Sequence, residues 1–129
     1  IAPEGTHMVL NRSGDSLRFS DGPPLHMVRP SVSMLFRSVA EVYGRDSAAL
    51  LFSGMGADGA EELKQLRNLG AATFAQDRES SVVWGMPGEA VRLEGAEHVG
   101  PPSVLAAILS GMAAGSSNRA ETTDNGERR

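Results

Sequence analysis

The ten residues Leu50-Leu51-Phe52-Ser53-Gly54-Met55-Gly56-Ala57-Asp58-Gly59 constrain this chain more than any other stretch of it. An apolar run that reads as a buried strand breaks into three closely spaced glycines, and a segment with helical spacing follows at once. A strand that ends this way delivers its loop to the carboxyl edge of a parallel sheet, where α/β folds place ligands and chemistry. Asp58 is the one charged side chain in the loop. Three roles are open to it on this reading. It caps the following helix, orients a catalytic group, or belongs to a nucleotide-binding loop.

Composition narrows the class. At 129 residues and 40% apolar content the chain is about one domain with a real core. Twelve basic against sixteen acidic residues leave a net charge of −4, which argues against a nucleic-acid partner. There is no cysteine, hence no disulfide framework and no thiolate metal site. No apolar run approaches the roughly 20 residues of a membrane helix, and no signal peptide opens the chain. The expectation is a soluble, cytoplasmic α/β domain without membrane insertion. The opening Ile1-Ala2-Pro3-Glu4-Gly5 lacks an initiator methionine and reads as an entry in mid-element, so a missing upstream segment is expected.

The pattern between the ends alternates helix and strand. Thr6 to Leu10 and Ser16 to Phe19 flank Arg12-Ser13-Gly14-Asp15 as a β-hairpin. Asp21-Gly22-Pro23-Pro24 is loop. Ser31 is the predicted N-cap of a helix with Val32, Leu35, Phe36, Val39 and Val42 on one face, ending near Gly44. Ala48 to Ser53 reads as a buried strand, Asp58 to Leu69 as a helix with Leu63, Leu66 and Leu69 inward, and Ala71 to Ala75 as the next strand. There follow a run from Ser80 to Trp84, a Gly85-Met86-Pro87-Gly88 break, a helix from Glu89 to Leu93, a strand near His98-Val99 and a helix from Ser103 to about Met112. Residues 1–113 form the predicted domain. Residues 114–129 lack apolar periodicity and are predicted to be a disordered tail. Strands separated by helices imply a doubly wound, mainly parallel sheet with helices on both faces, plus the hairpin.

Gly54, Gly56 and Gly59 also satisfy the dinucleotide-binding pattern G-x-G-x-x-G, and Asp77 lies about where such folds keep a ribose-binding acid. The physics disfavours it. A pyrophosphate docks on a helix N-terminus through free N–H groups and the positive end of the dipole. Asp58 would compete for those same donors. A carboxylate at that edge suits instead a histidine base, which it holds in the right tautomer and stabilises once protonated.

An ordered series of segments points the same way. Ile1-Ala2-Pro3 with His7-Met8, Asp21-Gly22-Pro23-Pro24, and Arg29-Pro30-Ser31-Val32 leading to Leu35-Phe36 come first. The glycine loop, Gly70-Ala71, Ala75-Gln76-Asp77, Ser80-Ser81-Val82-Val83 and Gly85-Met86-Pro87 before Glu89-Ala90 follow. From Ile1 to about Leu109 the chain resembles the catalytic domain of the CheB-type chemotaxis protein-glutamate methylesterases, in its carboxyl-terminal portion. The resemblance implies an α/β serine hydrolase that removes methyl groups from receptor methylglutamates and deamidates receptor glutamines. It implies Asp58 as the acid of a Ser-His-Asp triad and the backbone N–H of Met55 as an oxyanion donor. Water is the co-substrate, chemoreceptor helices are the partner, and no cofactor or metal is implied. The serine and histidine would lie upstream, as would a receiver domain, and this chain carries none of the three, so alone it is expected to be inactive. A non-catalytic fragment that binds a receptor or partner is the alternative reading.

The remaining candidates read as structural. His7 sits in the hairpin, His26 in a proline-rich loop and His98 beside a late strand, and the three lack metal-ligand spacing. Ser53 has no G-x-S-x-G elbow around it. Trp84 and Met86 read as packing residues near the loop, and Arg29 as a contact for acidic receptor surface. Ser33 stands where relatives usually carry an acidic residue.

Overall fold

The computed structural model describes the backbone of residues 1–127 and the side chains of residues 1–115. Strands β1 (His7–Leu10) and β2 (Leu17–Ser20) pair antiparallel, His7 opposite Ser20 and Leu10 opposite Leu17. The reversal between them is closed by Asn11 N–H to the Ser16 carbonyl and Gly14 N–H to the Asn11 carbonyl. His7 and Val9 alternate into the buried side, as a half-covered strand requires, and β1 lies against helix α1 (Val32–Val42). This is the hairpin that the sequence predicts.

A 3₁₀ turn (Gly44–Asp46) joins α1 to β3 (Ala48–Leu51), and β3, α2 (Ala60–Asn68), β4 (Ala72–Gln76), α3 (Met86–Arg92) and β5 (His98–Gly100) follow in order. The three strands form a parallel sheet in the order β3-β4-β5, with Ala49 opposite Thr73, Leu51 opposite Ala75 and Phe74 opposite His98. Period-2 alternation sorts the two faces. On one face Ala49, Leu51 and Ala75 pack with Leu63 and Leu66 of α2, Ala90 of α3 and Phe36 of α1. On the other, buried Phe74 stacks on His98 with ring centroids 4.9 Å apart. Helix α4 (Pro102–Glu127) packs against β4 and β5 and buries Leu105. The layered α/β sheet with a separate hairpin is the expected architecture.

The differences lie at element ends and have local causes. Strand β3 stops at Leu51 because the Ser53 N–H donates to the side-chain oxygen of Gln76, at 2.8 Å, rather than to a ladder carbonyl. Residues 80–84 make a turn and one parallel bridge, Gly54 to Trp84. Helix α3 begins at Met86, three residues early, since Pro87 lacks only an N–H that a first turn leaves unpaired anyway. The backbone of α4 runs beyond Met112. The expected tail, 114–129, falls mostly on residues whose side chains lie outside the described ones.

Leu63 has no exposed surface and sits where α2 meets the sheet. Leu63→Ala is expected to lower stability by about 2–5 kcal/mol, the range for a buried leucine truncated to a cavity. Urea unfolding of the chain and its variant measures this.

Candidate active site

The loop 52–59 leaves the carboxyl end of β3 and is pinned from the far side by the start of α3. Gly54 N–H donates to the Val83 carbonyl, and Gly85 and Met86 N–H both donate to the Gly54 carbonyl. A Cβ on Gly85 would lie 2.6 Å from that carbonyl oxygen, so the two loops approach closely only because Gly85 has none. Gln76, at the end of β4, ties the same edge together. It accepts from Ser53 N–H and donates through Nε2 to the Ser80 carbonyl at 2.9 Å, while its own carbonyl accepts from Trp84 Nε1 at 2.8 Å. Trp84 is thus a packing residue with its N–H satisfied.

Asp58 does not cap the helix it precedes. Gly59 is the N-cap of α2, with φ of 84°. The Asp58 carboxylate turns to the N-terminus of α1 instead. Oδ2 accepts from Val32 N–H at 2.6 Å, and Oδ1 accepts from Ser33 N–H at 3.3 Å, Ser31 Oγ at 2.6 Å and Ser33 Oγ at 2.8 Å. Ser31 stands at the predicted N-cap position, yet its hydroxyl caps nothing, because the carboxylate has taken the helix N–H groups. The reason is electrostatic. An anion is a stronger acceptor than a hydroxyl and favours the positive end of the dipole, and α1 has no acidic residue of its own in its first turn. Gly59 makes the approach possible, since a Cβ there would meet Val32 Cγ1 at 2.8 Å.

Burial alone would raise the Asp58 pKa. Hydrogen bonds from the Ser31 and Ser33 hydroxyls and from the Val32 and Ser33 N–H groups outweigh it, so the carboxyl titrates below its ordinary value. Asp58 is 7% exposed, and behind it stand Ser33, Glu62 and Arg37. Sequence reasoning missed Glu62, and a signal was there. It lies four residues before Leu66, on the inward stripe of α2, where a charge is out of place unless it has a partner.

The other candidates fall away from any base or nucleophile role. His7 is fully buried with both ring nitrogens engaged. Nδ1 accepts from Ser31 N–H at 3.1 Å, which assigns the proton to Nε2, and Nε2 donates to the Pro23 carbonyl at 2.9 Å. It braces the α1 N-terminus from behind. His26 is exposed on a tight turn between Leu25 and Val28. Arg29 is exposed and donates to the Gly22 carbonyl at 3.2 Å. Asp77 holds its own turn, accepting from the Ser80 N–H and hydroxyl. The glycine loop is a poor phosphate cradle, because Gly59 N–H is taken by Ser33 Oγ and Glu61 and Glu62 occupy the first turn of α2. Met55 is 83% exposed, and its N–H has no acceptor among the described residues. Among those residues no group of acidic or histidine side chains is arranged to hold a metal ion, and no helix is long and apolar enough to cross a membrane.

The lowered Asp58 pKa carries a sign. A depressed carboxylate stabilises the fold fully above its unfolded value, near 3.9, and loses that contribution as pH falls through the folded value. In Asp58→Asn an amide NH₂ replaces one oxygen among four donors. The variant is expected to be about 2 kcal/mol less stable at pH 7, and the gap should narrow steadily from pH 4 toward pH 2. Urea denaturation across that range measures it, and a constant gap contradicts the assignment.

Residues 1–109 match the CheB methylesterase family. The chain is 47% identical over 113 residues to a protein-glutamate methylesterase/protein-glutamine glutaminase of Geobacter metallireducens, covering 88% of this chain and 33% of that protein. It is 50% identical over 114 residues to the protein of that name from Nitrosospira multiformis, covering 88% of this chain and 32% of that one. It therefore spans about a third of the length of these relatives. The crystal structure of the Thermotoga maritima CheB methylesterase catalytic domain superposes with a TM-score of 0.73 at 29% identity, over 78% of this chain and 54% of that one. With the predicted sheet, the hairpin and the ordered motifs all in place, the chain belongs to the CheB methylesterase family.

Proposed function

We propose that this chain supplies the acid-bearing portion of a protein-glutamate methylesterase and protein-glutamine deamidase, with Asp58 as the acid of a Ser-His-Asp triad. The observation that carries the reading is the state of the Asp58 carboxylate. Four donors hold it on the loop after β3 and favour its charged form. Oδ1 is fully engaged, whereas Oδ2 accepts only Val32 N–H and keeps an acceptor direction for a histidine N–H. A fixed anion in that position sets the tautomer of a base and stabilises its imidazolium.

The nucleophilic serine and the histidine come, on this reading, from segments ahead of Ile1. The serine attacks the γ-carboxyl methyl ester or amide of a chemoreceptor side chain, methanol or ammonia leaves, and water hydrolyses the acyl-enzyme. Met55 N–H, exposed on a loop pinned at Gly54, donates to the developing oxyanion.

The test uses the complete gene product containing this sequence, assayed for methanol released from methylated chemoreceptor. Asp58→Asn is expected to reduce turnover on the order of 10⁴-fold, the loss seen when a triad acid becomes its amide, or roughly 5 kcal/mol of transition-state stabilisation. The assay is run where unfolding curves show the variant folded. Near-normal turnover in the folded variant contradicts the triad role, and absence of turnover in the unmutated complete protein leaves the non-catalytic binding reading.

A further inference from the structure

Ser33 lies fully buried in the first turn of α1, with three polar groups around its one hydroxyl. Gly59 N–H donates to Oγ at 2.8 Å, and carboxylate oxygens of Asp58 and Glu62 each stand 2.8 Å away. A hydroxyl carries one proton. It donates to one carboxylate at a time, and the other is left facing a lone pair. The two competitors are unequally supplied. Asp58 has three further donors, the Ser31 hydroxyl and the N–H groups of Val32 and Ser33. Glu62 is 2% exposed, and Oε1 takes both contacts from Arg37, from Nε at 3.2 Å and Nη2 at 3.1 Å. Oε2 has Ser33 alone.

We propose that Ser33 is a positioning residue for Asp58, and that Glu62, braced by Arg37, competes with Asp58 for its hydroxyl proton. With the hydroxyl turned to Asp58, Oδ1 accepts a full set of donors and the carboxylate is held as a tight, weakly basic anion. With it turned to Glu62, Oδ1 loses a donor and the carboxylate becomes a stronger partner for a base. The charged and titratable groups facing the cluster come from three elements. Glu62 comes from α2, Arg37 from α1 behind Glu62, and His7 from β1 behind the Ser31 N–H. The catalytic meaning of this competition rests on Asp58 being the triad acid, but the competition itself does not.

The test is a carboxyl-carbon NMR titration of Asp58 in the 129-residue chain, with amide spectra reporting the fold. Ser33→Ala is expected to raise the Asp58 midpoint by about one pH unit, the scale of a lost hydrogen bond to a charged group. Glu62→Gln is expected to lower it, through both the released hydroxyl and the lost charge. In the double variant only the charge effect is left, so the shift from Glu62→Gln shrinks when Ser33→Ala is present. A midpoint unmoved by Ser33→Ala, or shifts that simply add, overturns the proposal. Should Ser33→Ala fail to fold, the unmutated chain carries the test. Its Ser33 hydroxyl proton is expected to couple through hydrogen bonds to both carboxyl carbons, and to Asp58 alone in Glu62→Gln. Coupling to Asp58 alone in the unmutated chain overturns the proposal. Non-additive titrations combined with full turnover in Asp58→Asn would keep this network and discard the triad reading, and the reverse pattern would do the opposite.

Discussion

A buried carboxylate laid across the N-terminus of a neighbouring helix organises the carboxyl edge of this molecule's sheet. The Asp58 side chain starts from the loop after β3 and ends on the N–H groups of Val32 and Ser33, so it joins two segments some 26 positions apart in the chain. A helix N-terminus leaves four N–H groups without intrahelical partners. Here one anion meets two of them and two adjacent hydroxyls. The arrangement sets the entry of α2 as well, since Gly59 must pass within contact of Val32. His7 completes it from the hairpin side by accepting the Ser31 N–H. Hairpin, α1 and sheet edge are therefore fastened at one point.

This geometry explains why one glycine-rich loop can resemble a phosphate-binding loop and yet make a poor phosphate cradle. The pattern of glycines answers a need for close approach and positive φ, which several chemistries share. Electrostatics separates them. A phosphate site needs unoccupied N–H donors and no competing charge. In this chain Gly59 N–H is spent on Ser33, and three carboxylates, Asp58, Glu61 and Glu62, crowd the start of α2. What the edge offers instead is a fixed anion and, earlier in the same exposed loop, the Met55 N–H, which has no acceptor among the described residues.

Much of this was legible in the residues. The Leu63 and Leu66 spacing identifies the buried face of α2, the β1–β2 reversal follows from its glycine and polar cluster, and the apolar run before Gly54 marks a buried strand. The ordered motifs point to the family. What could not be read locally was the direction in which side chains turn. Asp58 and Ser31 each suit a cap on their own helix, and only the tertiary approach of α1 to the loop decides that the carboxylate crosses over. Gln76 stands in a family motif, but its tying role could not be read, because an amide at a strand end is equally at home in solvent. Ser33 was visible only as a departure from the relatives. Its consequence, a hydroxyl shared between Asp58 and a carboxylate brought by α2, needs the fold to be seen.

An ionised Asp58 accepts the Val32 amide, and the proton shift of that amide tests this most directly. A 2.6 Å bond to a carboxylate predicts a strongly downfield Val32 N–H at neutral pH. The signal should move upfield as the pH falls below about 4 and Asp58 gains its proton. It should already stand upfield at pH 7 in Asp58→Asn. A Val32 amide with an ordinary shift, unchanged both by acid and by Asp58→Asn, would contradict the account.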